Sequence, residues 1–217
     1  MEPTERPLSE KESLDLITTM INRARDSYHD TGVSAMMWGL VIAVCSLEKL
    51  AEIQFGYHLP FDIYWLTFIA VIPQVFIWMR EGKKKRVKTY DDIYIDYVWL
   101  GFGISIFLLI FLTNVIFNSI PVAERNSPGF NFYEYLCSFF LLLYGIPTFI
   151  TGAACKFKPM LWGGILCWVC CIIAAFTEIR IDLLLTGISA VVAWFIPGII
   201  MQADYRKAKN ELAQNNV

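Results

Sequence analysis

The chain is 217 residues long, 56% hydrophobic and 15% aromatic, with only 18% charged residues and a net charge of −2. A soluble domain carries about 25% charged and 45–50% apolar residues; 25 kDa of soluble protein could not hide this apolar surface, so lipid must cover part of it. The near-neutral balance leaves no footprint for nucleic acid, although the basic residues are clustered.

Residues 1–32 read as a cytoplasmic N-terminal segment. They lack the short apolar run and small-residue cleavage site of a signal peptide and the Met-Gly start of a lipidated chain. Ser9-Glu10-Lys11-Glu12 matches a capping box, in which the Ser oxygen accepts from an early N–H while the Glu reaches back. Leu14, Ile17, Ile21, Ala24 and Tyr28 follow at steps of three and four, which puts them on one face of an amphipathic helix. Such a helix lies on the inner membrane surface or packs under a bundle. The same steps also suit a docking or dimer helix. Thr31-Gly32 reads as the break before the first span.

Six long apolar runs follow, near 33–55, 62–79, 94–117, 132–151, 160–176 and 182–201. A spanning helix needs roughly 20 apolar residues, and helix is the expected form because lipid offers no partner to an unpaired backbone N–H or C=O. A β-barrel would show alternation instead of continuous apolar runs. The expected fold is therefore all-α integral membrane: residues 33–201 form six transmembrane helices, and 202–217 a cytoplasmic tail.

The six runs read as three parallel two-helix hairpin repeats, about 33–79, 94–151 and 160–201. Each opens on a Trp beside a Gly (Trp38-Gly39, Trp99-Leu100-Gly101, Trp162-Gly163) and closes on Ile-Pro at Pro73, Pro147 and Pro197. An acid begins each second helix (Asp62, Glu134, Asp182), where it complements the helix dipole. Hairpins running in the same sense are related by an axis along the membrane normal, which predicts a bundle of approximately threefold character. The middle copy has the longest outer loop, 118–131, a site of outward contact or simply the least constrained segment.

Basic residues set the orientation. With the N-terminus inside, 15 of the 18 Lys and Arg face the cytoplasm, leaving only Lys49, Arg125 and Arg180 outside. Both termini are thus expected inside, in the plasma (inner) membrane. The run Arg80, Lys83, Lys84, Lys85, Arg86 and Lys88 is the densest group; it attracts anionic lipid headgroups or an acidic cytoplasmic protein partner, and it also fixes topology.

Each repeat proline removes a helical N–H and frees the carbonyl four residues earlier. Such carbonyls line a solute path or simply accompany a kink. Gln74 and Thr148 follow two of these prolines at matching positions, with Gly198 in the third. Ser105, Thr113, Asn114, Tyr144 and Thr186 complete the deeper polar set, suited to helix–helix hydrogen bonds. Glu48, Lys49 and Glu52 form an outer polar cluster in which Lys49 can pair with Glu52; interfacial pairing explains it, or recognition of a cation or polar solute. Cys167, Cys170 and Cys171 share a helix face, and soft thiolates suit Cu(I). They lack His, Met or acidic company, so packing is the plainer reading and neither metal nor cofactor is expected. His29 and His58 fall on opposite sides of the membrane, which precludes a His-centred triad or paired-His metal site; no catalytic set and no phosphate loop is found.

The six runs, the Trp-Gly and Ile-Pro hairpin ends and the basic run at 80–88 together resemble uncharacterised small six-span proteins of bacterial inner membranes. That resemblance implies architecture and carries no catalytic residue. The mitochondrial carriers also use three proline-bearing hairpins, but their Pro-x-acid-x-x-base signature is missing, since Gln74 and Val75 follow Pro73. The leading expectation is a non-enzymatic membrane protein that docks a partner or senses the bilayer through its cytoplasmic face. The alternative is a small-solute transporter or channel with its path near the pseudo-threefold axis. A continuous wetted path favours transport; a dry, small-residue-packed centre favours the former.

Overall fold

The computed structural model describes residues 9, 14, 31–84, 90–125 and 135–214. The predicted amphipathic helix (Ser9 and Leu14 apart), Glu134, His29, and Lys85, Arg86 and Lys88 lie outside those residues. In chain order the elements are α1 (Val33–Phe55), α2 (Trp65–Lys84), α3 (Tyr90–Ser119), the single turn α4 (Val122–Arg125), α5 (Leu136–Ala154), α6 (Lys158–Ala174), α7 (Ile179–Ala190), a π-helical turn (Val191–Phe195) and α8 (Ile196–Gln214). No strand occurs among the described residues. Four helical stretches are long and apolar enough to cross a bilayer: Val33–Phe55, Ile93–Ser119, Leu136–Ala154 and Ile179–Lys207. Trp65–Arg80 and Lys158–Ala174 are shorter apolar helices. The chain is an all-helical, multi-pass membrane protein.

Local chemistry sets the helix ends. Gly32 and Gly56 bracket α1 with φ of 69° and 68°, and the Gly56 N–H donates to the Glu52 carbonyl at 3.0 Å; this is the left-handed cap that glycine adopts without a Cβ penalty. The Asp62 carboxylate accepts from the Tyr64 N–H at 3.0 Å just before α2. Pro159 sits in the first turn of α6, where no helical N–H is lost.

The core lies between α1, α5, α6 and the α7–π–α8 rod, while α2 packs at the margin on α1 and α3 on α5. Two buried clusters fill it: Ile42, Ala43, Tyr144, Cys167, Ala190, Ala193 and Trp194, and beside them Leu141, Cys170 and Ala174. By contrast, no residue in the apolar window of α3 is buried. Its Phe107, Phe111 and Leu112 face outward, as do Trp65 and Trp78 on α2 and Trp162 on α6. These belong to the surface that lipid covers, with Trp favoured near its edges.

The glycines of two Trp-Gly pairs make the core possible. A Cβ on Gly39 would meet the Phe195 nitrogen at 2.6 Å and the Ala190 carbonyl oxygen at 3.0 Å; one on Gly163 would meet the Ala193 Cα at 2.6 Å. Both glycines therefore lie against the backbone of the π turn, α1 from one side and α6 from another. The turn itself precedes Pro197, which cannot donate to the Ala193 carbonyl, and the Ile196 N–H reaches back to the Val191 carbonyl in the π register. Gly101, at the matching place beside Trp99, has no neighbour within 4 Å.

Gly39→Ala and Gly163→Ala are each expected to destabilise the protein by about 1–3 kcal/mol, the usual cost of overpacking. Gly101→Ala faces open space and should leave the unfolding midpoint in detergent unchanged or slightly raised.

Candidate functional site

The polar residues singled out beside the prolines are fastened by indoles. Trp38 Nε1 donates to Gln74 Oε1 at 2.9 Å, and Gln74 Nε2 donates onward to Ser34 Oγ at 3.2 Å. Trp194 Nε1 donates to Thr148 Oγ1 at 2.7 Å, while that hydroxyl donates to the Tyr144 carbonyl at 2.6 Å. Trp99 Nε1 donates to Thr151 Oγ1 at 3.1 Å. Tyr144, Thr148 and Thr151 follow at steps of four and three, so one face of α5 collects donors from α3 and from the π turn. Around this seam the rings of Trp99, Phe102, Tyr144 and Trp194 meet tilted or edge to face, with centroids 4.8–6.2 Å apart.

The repeat prolines do not share one environment. Pro147 and Pro197 are fully buried, whereas the neighbours of Pro73 on α2, Ile69, Ile72 and Phe76, are exposed. Thr148 is buried in the aromatic core and Gln74 half-buried under Trp38. Thr148 uses its hydroxyl as both acceptor and donor, and Gln74 uses its amide oxygen and one of its amide N–H groups.

Several of the other deep polar groups hydrogen-bond within their own helix rather than across helices. Ser105 donates to the Gly101 carbonyl at 2.8 Å, Thr113 to Leu109 at 2.7 Å, Asn114 to Ile110 at 2.8 Å and Thr186 to Asp182 at 2.8 Å. On α3 the reason is physical: with lipid on most of its faces, the carbonyl one turn back is the nearest acceptor.

In the polar cluster at the C-terminal end of α1, Lys49 and Glu52 pair and residues of the following loop join them. Lys49 Nζ lies 2.6 Å from Glu52 Oε2. His58 Nδ1 is 3.1 Å from Glu52 Oε1, and the Tyr57 hydroxyl donates to Glu48 Oε1 at 3.2 Å, so the α1–α2 loop folds back over the end of α1. Burial and the adjacent Glu48 carboxylate hold the Tyr57 phenol above its ordinary pKa. Arg180 reaches Gln54 at 3.2 Å and ties α7 to the same end. Asp182, expected as an acid at a helix start, is fully buried, and the Thr177 hydroxyl donates to its Oδ1 at 2.6 Å. Its position in the first turn of α7 was legible, but its depth was not, since that depends on α7 being enclosed by neighbours.

Cys167 packs with Ile42 and Tyr144 in one cluster and Cys170 with Leu141 in the other, while Cys171 is only partly covered. Among the described residues no three His, Cys, Asp or Glu side chains are placed to hold a metal ion. Of the basic run, Arg80 is exposed near the end of α2, and Lys83 and Lys84 are in its last turn. No known protein family, curated protein or solved structure matches the chain.

Sequence reasoning missed Ser34, Thr151 and Trp194 as members of the interior network. The signal for Thr151 was present, three residues beyond Thr148 on the same helix face. Trp194→Phe is expected to cost about 0.6 kcal/mol and at most about 1.7, the range for interhelical hydrogen bonds in membrane proteins, with the ring contacts largely kept. Trp162→Phe, at a 65% exposed position, should shift the detergent unfolding midpoint by less.

Proposed function

We propose that this chain is a six-span, non-enzymatic protein of the plasma (inner) membrane, both termini cytoplasmic, which docks a partner or senses the bilayer through its inner face. The observation that carries the reading is the closely packed centre. The polar side chains nearest the repeat prolines accept or pass on hydrogen bonds from Trp38, Trp99 and Trp194, and the space between is filled by Ala, Cys, Gly and aromatic rings. A solute path needs polar groups free to replace a hydration shell; here Gln74, Thr148 and Thr151 hold helices together, and among the described residues the isolated hydroxyls of Ser138 and Ser189 are buried without a hydrogen-bond partner.

Six spans follow if the two shorter apolar helices also cross. Lys158–Ala174 has 17 residues, at the short limit of about 17–25 for a spanning helix. The triple hairpin draws support from a shared fastening: Trp38 donates to Gln74 and Trp99 to Thr151, each from the first helix of its hairpin into the second. In the third copy Trp162 is exposed and its glycine alone keeps a packing role.

The docking face combines the amphipathic segment at 9–30, the basic run from Arg80 to Lys88, and the end of α8. That helix continues without a break from the core to Gln214. Its last 13 residues after Met201 reach about 20 Å at 1.5 Å per residue, and Ala203, Asp204, Arg206 and Lys207 on it are exposed. Polar on its outer part and rigidly joined to the π turn, it suits a post on which a cytoplasmic protein sits.

Affinity capture of the tagged full-length protein from detergent extract should return a stoichiometric cytoplasmic partner, lost when residues 9–30 are deleted. Unchanged capture after that deletion removes the amphipathic segment from the docking face. Solute flux in liposomes that changes with Gln74→Ala or Thr148→Ala would replace this reading with the transporter.

A further inference from the structure

The turn between α5 and α6 carries a feature that the packing of the core does not explain. α5 ends in a Schellman arrangement: the Phe157 N–H donates to the Gly152 carbonyl at 2.9 Å and the Lys156 N–H to the Ala153 carbonyl at 3.3 Å. The residue between, at the left-handed position where glycine is usual, is Lys156 with φ 52°, the one non-glycine residue with positive φ among the described residues. The turn is held on both sides. Gly152 lies so close to the Leu161 backbone that a Cβ would collide with it, and Gly164 lies against the Phe149 backbone in the same way. A lysine is thus fixed, at a cost in backbone strain, on a short rigid corner at the membrane edge.

Its surroundings define what the corner fits. Lys156 and Lys158 are both exposed, and neither has a carboxylate within 4.0 Å among the described residues. Trp162, one turn beyond Lys158 on the same face of α6, is 65% exposed. Val169 and Ile172 continue that outward face, and Phe176 is exposed just beyond the end of the helix. The order along the surface is therefore two unneutralised ammonium groups, an amphipathic ring, then hydrocarbon. Bilayer lipid has the same order: phosphate, the interfacial zone where Trp concentrates, then acyl chain. About ten residues of helix cover one leaflet's half of the roughly 30 Å core, which is the distance from Trp162 to Ile172.

We propose that the α5–α6 corner is a headgroup site for an anionic phospholipid, with Lys156 and Lys158 on the phosphate and the acyl chain along the Trp162–Val169–Ile172 face. The inference rests on the membrane-spanning reading above but is independent of partner docking. It differs from the basic run at 80–88 in kind. That run would attract any anionic surface; the corner carries its two lysines on a held backbone turn beside a Trp.

The test uses the full-length chain in a non-ionic detergent and follows thermal unfolding with added phosphatidylglycerol or phosphatidylcholine, with bound lipid counted by native mass spectrometry. Phosphatidylglycerol should raise the midpoint and persist as a bound adduct, and phosphatidylcholine should do neither. Lys156→Gly separates the lipid contact from folding, because glycine relieves the strained φ. Its lipid-free midpoint should equal or exceed wild type while the phosphatidylglycerol gain falls by at least half. Lys156→Gly with Lys158→Ala should abolish the gain. Equal gains from both lipids in the wild type would overturn the proposal. So would an undiminished phosphatidylglycerol gain in the double variant, which would assign the anion effect to the run at 80–88.

Discussion

The architecture depends on how helices hold together where there is no water to exclude. Lipid tails are as apolar as leucine, so burying one apolar face against another gains little, and close backbone approach and hydrogen bonds must supply the adhesion. This chain uses both at one place. Gly39 and Gly163 bring α1 and α6 onto the backbone of the π turn, and Trp194, a residue of that turn, donates to Thr148 on α5. Four elements thus meet at Val191–Phe195, immediately before Pro197. The proline creates the irregularity, the glycines give neighbouring helices access to it, and the indole locks it to a fourth helix.

The same constraint sorts the polar residues. Where a neighbouring helix is within reach, Gln74, Thr148 and Thr151 take indole donors. On α3, which meets few neighbours, Ser105, Thr113, Asn114 and Ser119 satisfy themselves one turn back on their own helix. Groups capable of charge gather at the C-terminal end of α1, where Tyr57 donates to Glu48 and Glu52 contacts both Lys49 and His58. Buried Asp182 is satisfied in part by a hydroxyl, that of Thr177. An interior organised in this way is suited to rigidity.

Much of the helical layout was legible. α1 occupies the predicted 33–55, bounded by glycines that the sequence displays plainly. α3 overruns its predicted bounds at both ends, from Tyr90 to Ser119, because its polar flanks continue the helix beyond the apolar run that marked it. α8 likewise runs on through the polar tail to Gln214. Apolarity reports where lipid is, whereas a helix ends only at a cap or a breaker, and the two boundaries need not coincide. The outer cluster was visible from the three- and four-residue spacing of Glu48, Lys49 and Glu52; Tyr57 and His58 joined it only when the loop folded back.

By itself the sequence determined that the chain is helical and embedded in lipid, and where the polar and breaking residues fall, because those properties follow from local composition and from the backbone's need for hydrogen bonds in hydrocarbon. Only the tertiary structure decided which repeated features matter. Three similar Trp-Gly pairs became two helix contacts and one open face, and three similar prolines became two buried and one beside exposed neighbours. A motif specifies what a residue is able to contact, and the neighbour that arrives is chosen by packing among segments far apart in the chain.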